Sequence, residues 1–169
     1  MRVIGLSFFI LLFFYGCGGF EFVYNKHPII KNLENKIAFQ VSGDDSSVLV
    51  SKLNSKFGLR GDEGKYILIA DVVRNIKPLV YEKDGTVSKQ EVSHNITYTL
   101  LDSDEGCTIK NKKVFTYTNY NTASSGYNFS SDLSKKEIIE RNIETNVDDY
   151  IDFIVSDVIS LVCQSENIS

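Results

Sequence analysis

Tryptophan is absent from the 169-residue sequence, and proline, histidine and cysteine are scarce, with two, two and three residues respectively. So little proline excludes a proline-rich linker, and the lack of tryptophan argues against a lectin-like aromatic platform. The formal net charge of −4 lacks the basic excess of a nucleic-acid-binding surface, so we expect no nucleic-acid partner. The hydrophobic content of 43% and the charged content of 24% are typical of a folded globular domain.

Motifs for catalysis and phosphate binding are also absent from the sequence. It contains no G-x-S-x-G, no phosphate-binding glycine loop, no H-E-x-x-H and no Cys-x-x-Cys. Neither His27 nor His94 has a second histidine or cysteine at metal-ligand spacing, and we interpret His94 as a half-buried strand residue. The carboxylates of Asp148, Asp149 and Asp152 are predicted to form a solvated helix face. We therefore expect a protein that is not an enzyme and that holds no metal or cofactor.

Residues 1–16 are predicted to be a lipoprotein signal peptide. Arg2 precedes the uncharged run Val3–Tyr15, which is short for a membrane-spanning helix, since such a helix needs about 20 apolar residues. The run ends in small residues around Cys17. The segment resembles a bacterial lipoprotein signal, in which this cysteine becomes the lipidated first residue of the mature protein. In that resemblance, Gly18 after the cysteine indicates the outer membrane.

The alternative to lipidation is an ordinary signal peptide followed by an incidental cysteine. A free thiol directly after a cleavage site has no structural purpose, which favours lipid attachment at Cys17. The resemblance implies three acyl chains such as palmitate, and two or more chains anchor a protein stably in a bilayer. We therefore expect a domain that is lipid-anchored at the periplasmic side of the outer membrane.

The rest of the chain is predicted to be a tether followed by one domain. Residues 17–36 have no helical period and are interpreted as an extended tether, and residues 37–169 as a single α+β domain. Periodicity predicts, in chain order, a strand at 37–41, a helix that ends at Phe57 before Gly58, strands at 65–75, 87–101 and 108–120, and a helix from a capping box at Ser134 to about Cys163.

The order of these elements predicts the fold class. Two helices with one apolar face each need one face of a sheet to cover them. We therefore predict a two-layer sandwich with the order β-α-β-β-β-α, in which a four-stranded, mostly antiparallel sheet carries both helices on one face. The strand at 65–75 is almost continuously apolar, which predicts a central position covered on both faces. Residues 121–131 are predicted to be a loop.

Alternation with a period of two divides the later strands into faces. In the strand at 87–101, one face contains Val92, His94, Ile96, Tyr98 and Leu100. In the strand at 108–120, Phe115 and Tyr117 share one face, and Val114, Thr116 and Thr118 share the other.

Cys107 and Cys163 are candidates for a disulfide bond. The strand that follows Cys107 runs away from the preceding turn for roughly 40 Å at 3.3 Å per residue. The last helix returns for roughly 45 Å at 1.5 Å per residue, so both cysteines are expected at the same end of the domain. An exported protein meets an oxidising compartment, which favours the bond. The alternative is two unpaired thiols.

The whole pattern resembles the LPS-assembly lipoprotein LptE family in its alphaproteobacterial form. The resemblance rests on the signal boundary with Gly19-Phe20, on Asp84-Gly85-Thr86 and Tyr98-Thr99-Leu100, on Phe115–Asn121 with Gly126-Tyr127, and on the long last helix. It implies a protein that sits partly inside the large outer-membrane β-barrel LptD. There it would assist barrel assembly and the delivery of lipopolysaccharide.

Two groups of side chains are candidates for these contacts. The Thr-, Tyr- and Asn-rich strands suit the hydrated interior of a transmembrane barrel, and Tyr117, Tyr120 and Tyr127 are candidate partner contacts or else pack on the sheet. Lys110, Lys112 and Lys113 are candidates for binding the phosphates of lipopolysaccharide, because ammonium groups pair with phosphate. Their alternative role is to discourage pairing of an exposed strand edge.

The sequence is also compatible with a second function. Several lipoproteins serve as accessory subunits of ABC-type lipid transporters and have a similar small α+β domain. Such a protein would bind a transporter component and not a barrel, and the partner recovered from membranes distinguishes the two.

Overall fold

The computed structural model of the chain describes residues 27–58, 64–122, 128–156 and 163. In chain order its elements are helix α1 (Pro28–Leu33), strand β1 (Ile37–Gly43), helix α2 (Ser46–Phe57), strands β2 (Tyr66–Tyr81), β3 (Val87–Asp102) and β4 (Thr108–Asn121), and helix α3 (Asn128–Ser156). None of the described helices has the length and apolar content needed to cross a bilayer.

The four strands form one open sheet in the order β1-β2-β3-β4. β1 pairs with β2 in parallel, and the two following pairs are antiparallel. Helices α2 and α3 pack on the same side of this sheet, where Leu49, Leu53, Ile143 and Val147 are fully buried. The predicted fold class is therefore confirmed: the chain is an α+β sandwich with a mixed sheet and two principal helices on one face.

Two ion pairs join the helices on their outer side. Lys52 lies 2.9 Å from Glu144, and Lys56 lies 2.5 Å from Asp148. Because both members of the second pair are four residues beyond those of the first, α2 and α3 run in the same direction. The hydrogen bond from Lys52 holds the pKa of Glu144 below its usual value.

Strand β2 is central, as predicted, but the residues that the structure describes cover one of its faces only. Its side chains alternate between buried and exposed from Tyr66 onward. Ile69 is 36% exposed and Val73 is 56% exposed. The expectation of two covered faces is wrong because the sheet has helices on one side, so that the apolar run at 65–75 also supplies the uncovered side. The strand continues to Tyr81; the sequence leaves residues 76–83 open as an extension of this strand or as a connection, and the structure has the extension.

The predicted extended tether is corrected in its described part, where α1 forms. Pro28 stands in the first turn, where its missing N–H costs nothing, and the His27 Nδ1 atom accepts a hydrogen bond from the backbone N–H of Ile29. Ile30 and Leu33 are buried in the common core. The helix has only six residues, which is too short to display a period in the sequence.

Helix α3 begins at Asn128, six residues before the predicted start. Ser134 is therefore inside the helix, and the predicted capping box with Glu137 is wrong, as is the loop assignment for 128–131. The misreading has a physical cause: serine, asparagine and aspartate favour caps and turns when only local preference is considered. The predicted end of the helix near Cys163 lies beyond Ser156, where the described helix ends.

Two asparagines on α3 face the sheet and hydrogen-bond to it. Asn142 donates from Nδ2 to the carbonyl of Val92 over 3.0 Å. Asn146 donates to the carbonyl of Val114 and to Thr116 Oγ1, both over 3.1 Å, and accepts from the Tyr98 hydroxyl over 2.9 Å. Both side chains are almost completely buried. These bonds fix the position of α3 along β3 and β4.

An aromatic stack lies beside these asparagines. The rings of Tyr98 and Tyr150 are nearly parallel, at 11°, with their centroids 4.1 Å apart. Burial raises the pKa of both hydroxyls, so each ring packs in its neutral form. The residues of β3 that were predicted to share one face all lie on the helix side and are fully buried: Val92, His94, Ile96, Tyr98 and Leu100.

Candidate interaction surface

The side of the sheet that faces away from the helices is the candidate functional surface, and we call it the open face. Its side chains come from alternate positions of the strands, mainly of three of them. They are Ile69, Asp71, Val73 and Asn75 of β2, Ser93, Asn95, Thr97 and Thr99 of β3, and Asn111, Lys113, Phe115 and Tyr117 of β4.

Apolar side chains are concentrated at the centre of the open face. Phe115 is 59% exposed and Tyr117 is 61% exposed, and their ring centroids lie 6.2 Å apart. Val73 lies in the same row as Phe115, because both residues register with Asn95 of the intervening strand. Exposed aromatic residues within a polar surround are typical of protein–protein interfaces.

Polar side chains fill the rest of the open face. Thr97 lies beside Lys113, and Thr99 accepts a hydrogen bond of 2.8 Å from Asn111. Ser42 of β1 donates to the Asp71 carboxylate over 2.9 Å. These groups remain hydrated while they present donors and acceptors in register. The surface therefore suits a wet contact that is polar apart from a small aromatic centre.

The three tyrosines named in the sequence have different environments. Tyr117 is on the open face and is accessible to a partner. Tyr120 is on the helix side, is 7% exposed and donates its hydroxyl hydrogen bond to Gln90 over 2.5 Å. It packs in the core, which is the alternative role given above. The prediction that it contacts a partner is therefore corrected. Tyr127 lies outside the described residues.

The three lysines of β4 do not form one cluster. Lys113 is on the open face, whereas Lys110 and Lys112 are on the helix side of the strand. Lys110 is buried, at 8% exposure, and the Lys112 ammonium lies over the ring of Phe153, 4.9 Å from its centroid. The expectation of a joint phosphate site is corrected by the pleat of the strand, because neighbouring residues point to opposite faces.

Charged side chains surround the buried His94 where β1 leaves the sheet. His94 Nε2 is 3.1 Å from Asp45 Oδ2, and Arg74 donates to Asp45 Oδ1 over 2.7 Å. The backbone N–H of Arg74 donates to the Asp44 carboxylate. Burial lowers the pKa of His94, and the Asp45 carboxylate opposes this only partly. The prediction of half burial is corrected, since this imidazole is completely buried. It joins the start of α2 to the sheet.

The chain turns tightly just before this cluster. Gly43 has a φ of +90°, and any Cβ there would collide with the backbone carbonyl of Val72. Asp45 takes the left-handed conformation, with a φ of +50°, and is held there by His94 and Arg74. The sequence signals for these partners were weak, because Arg74 and His94 are far from Asp45 in the chain.

Cys107 and Cys163 are joined in the structure by a disulfide, with their Cα atoms 5.7 Å apart. The bond connects the β3–β4 turn with the chain beyond α3. A carboxylate oxygen of Glu105 lies 2.7 Å from the Cys163 sulfur. Metal ligation requires thiolates, so the bonded pair offers no such ligands. Cys17 lies outside the described residues, and its lipidation stays a prediction.

Val73 belongs to the candidate surface but was not predicted from the sequence. Its exposure follows from the register of β2 with β3, which places odd-numbered β2 residues opposite Asn95 and Thr97. The polar character of those β3 neighbours was the available signal. Because the strand at 65–75 was predicted to be covered on both faces, Val73 was not expected to be exposed.

Comparison with known proteins identifies the fold. No family model and no curated protein matches the chain. A candidate lipoprotein from Caulobacter crescentus CB15 matches with a TM-score of 0.59 at 14% identity, over 75% of this chain and 93% of that one. Rare lipoprotein B from Shewanella oneidensis matches with a TM-score of 0.54 at 11% identity, over 72% and 95% of the two chains.

A third solved structure gives the same result. The minor lipoprotein from Acinetobacter baumannii matches with a TM-score of 0.54 at 12% identity, over 73% of this chain and 92% of that one. At these identities the similarity is one of fold. The chain thus has an architecture similar to that of three bacterial proteins that are called lipoproteins.

Proposed function

We propose that this chain is a lipid-anchored accessory protein of the outer membrane whose open face contacts a large β-barrel of the LptD type. One observation carries the proposal: in the described part of the chain the helices cover one side of the sheet, and the other side exposes Phe115 and Tyr117 among threonine and asparagine side chains. The inner wall of a transmembrane barrel is polar and hydrated. A polar surface with an aromatic anchor is complementary to such a wall.

The anchor in this proposal is a set of acyl chains on Cys17. The basic tip, the short apolar run and the small residues around the cysteine support it. Similarity in fold to rare lipoprotein B and to the minor lipoprotein adds support. Several acyl chains give stable attachment, which would keep the domain on the periplasmic surface within reach of a barrel.

Lipopolysaccharide is the proposed cargo of the assembled pair, and Lys113 is the proposed point of contact on this chain. Of the three lysines considered, only Lys113 is on the open face, next to the aromatic centre. Its ammonium group can approach a phosphate while the protein is docked. The proposed role is positioning and binding, without catalysis.

The test is co-purification of the tagged, lipidated chain from Gram-negative outer membranes. We compare the wild type with the double variant Phe115→Ser, Tyr117→Ser. Its matched control is Leu133→Ser, because Leu133 on α3 has the same 59% exposure as Phe115. We expect the double variant to recover about tenfold less barrel, which corresponds to a loss of about 1.4 kcal/mol of binding free energy. The control should recover as much as the wild type.

Other outcomes distinguish the alternatives. Recovery of an inner-membrane permease complex in place of a barrel would support the accessory-subunit role in an ABC-type lipid transporter. If the double variant recovers as much barrel as the wild type, the open face is not the surface that contacts the barrel. A wild-type chain that stays in the periplasmic fluid would contradict the anchor.

A further inference from the structure

Strand β4 forms one edge of the sheet. It is the last strand in the order β1-β2-β3-β4, and among the described residues no further strand lies beside it. Its 14 residues include no proline and no glycine, and its pairing with β3 runs without a register shift from Lys110 to Asn121. Strand β1, at the opposite edge, has only 7 residues. β4 is therefore the longer edge, and most of it is regular.

The hydrogen bonds between β3 and β4 decide which backbone groups of β4 face outward. The N–H of Thr122 donates to the carbonyl of Ser88 over 3.0 Å. In an antiparallel ladder every second residue makes such bonds, so the even-numbered residues of β4 bond to β3. The N–H and C=O groups of the odd-numbered residues from 111 to 121 therefore point away from β3. They form a row of donors and acceptors on which a further strand can pair.

The only feature that protects the regular part of this edge is charge. Proteins usually protect an edge by short length, proline, a bulge or charged side chains. Over residues 111–121, β4 has only the last of these, in the exposed Lys112 and Lys113. The two lysines are adjacent, so they lie on opposite faces of the sheet. Their neighbours on β3 are Tyr98 and Thr97, and β4 itself contains no carboxylate.

These lysines select which strand the edge accepts. Like charges opposite each other destabilise a strand pair, and opposite charges stabilise it. A basic strand is therefore repelled, and so is β4 of a second copy, which brings its own lysines. A strand with carboxylates is attracted on both faces of the sheet. The role of discouraging edge pairing, given above as an alternative, thus applies to strands that are not acidic.

We infer that β4 binds an extended acidic segment of a partner protein by strand addition along residues 111–121. Main-chain hydrogen bonds to the outward groups supply affinity, and side chains supply selectivity. Carboxylates at two adjacent positions of the segment meet Lys112 on the helix side and Lys113 on the open face. The added strand lies beside Phe115 and Tyr117 and widens the open face. This inference does not depend on the proposed contact with a barrel.

Peptides of defined sequence test the inference on the purified full chain. The probe is a fluorescent ten-residue peptide that alternates valine with threonine and has two adjacent glutamates at its centre. Its matched control has two lysines in their place. By fluorescence anisotropy the glutamate peptide should bind about tenfold more tightly than the control, since two opposite-charge pairs replace two like-charge pairs. The preference should shrink at high salt, because exposed charges are then screened.

Two further peptides separate backbone pairing from charge attraction. Both keep the glutamates, and each has every second backbone nitrogen methylated, so that the two versions block opposite edges of the peptide strand. One version should lose most of its binding and the other should keep it, because strand addition uses one edge of the peptide. If the two methylated peptides bind alike, the inference is overturned.

Variants of the chain form the second arm. The N–H of Asn119 points outward, so Asn119→Pro removes a donor that the pairing with β3 does not use. It should weaken binding of the glutamate peptide severalfold relative to Asn119→Ala, at a similar urea midpoint.

The double variant Lys112→Glu, Lys113→Glu keeps the inference testable if the proline variant does not fold. It should reverse the preference, so that the lysine peptide binds more tightly. An unchanged preference, equal binding of the glutamate and lysine peptides to the wild type, or dimerisation of the chain through β4 would contradict the inference.

Discussion

The two faces of one sheet use the same strands in opposite ways. On the helix side, every second residue of β3 from Val92 to Leu100 is fully buried. Buried polar groups on that side, such as Asn142 and Asn146, are hydrogen-bonded to strand atoms. On the open face, Phe115 and Tyr117 keep more than half of their surface exposed.

This difference separates residues that stabilise the fold from residues that are available to a partner. Residues on the helix side contribute burial and fixed hydrogen bonds, which are the main sources of folding free energy. Apolar residues on the open face contribute little to folding, because water still reaches them. Their contribution to free energy is expected when a partner covers them.

The largest expected effect comes from the disulfide between Cys107 and Cys163, which joins the β3–β4 turn to the chain beyond α3. Replacing both Cys107 and Cys163 with serine opens a loop with a sequence separation of 56. We expect the free energy of unfolding to fall by about 2–4 kcal/mol, measured by urea denaturation. Each single replacement should have nearly the same effect as the double one. Two thiols that alkylate without reductant in the native wild type would contradict the bond.

Two valines on opposite faces give the most direct comparison of side-chain burial. Val92 is fully buried, whereas Val73 is 56% exposed. We expect Val92→Ala to cost about 2–3 kcal/mol of unfolding free energy, because two methyl groups leave a cavity. Val73→Ala should cost less than about 0.5 kcal/mol. Equal losses in thermal or urea unfolding would show that both faces are covered.

A pair of asparagines extends the comparison to polar groups. Asn146→Leu removes the partners of Val114, Thr116 and Tyr98. We expect a loss of about 1–3 kcal/mol, since buried donors and acceptors without partners are costly. Asn119→Leu, at an exposed position of β4, is the control and should be nearly neutral. A neutral Asn146→Leu would mean that the hydrogen bonds contribute no net stability.

The smallest expected effect is a pH dependence at His94. Burial holds the pKa of His94 below its ordinary value, and Asp45, Asp44 and Arg74 are the charges around it. The unfolded chain therefore binds more protons below about pH 6.5, and stability falls as the pH falls through that value. Above it the group contributes no pH dependence.

The His94→Gln variant is the control for this effect. The urea midpoint of the wild type should decrease between pH 7.5 and pH 5.5 by more than that of the variant. Parallel profiles for the two proteins would contradict the assigned role of burial.

The sheet was predictable because its information is local and periodic. The alternation through β3 and β4 places Tyr98 and Thr116 correctly, and the turn at Gly85 follows from its residues. The short helix α1 and the early start of α3 were missed because neither displays a clear period. Asn142 and Asn146 were missed for another reason: their partners are strand atoms that are distant in the chain.

The candidate surface was only partly predictable. Phe115 and Tyr117 were correctly placed together, since they are two residues apart on one strand. Lys110, Lys112 and Lys113 were grouped by proximity in sequence, although the pleat separates Lys113 from the other two. Which face receives the helices is decided by tertiary packing, and no single strand contains that information.

Photo-cross-linking in living cells tests the central claim most directly. A benzophenone side chain is placed at Tyr117 on the open face and, in a second strain, at the exposed Lys136 on α3. We predict an adduct with a very large outer-membrane β-barrel from position 117 and none from position 136. An adduct from position 136 alone, or no barrel adduct from position 117, would contradict it.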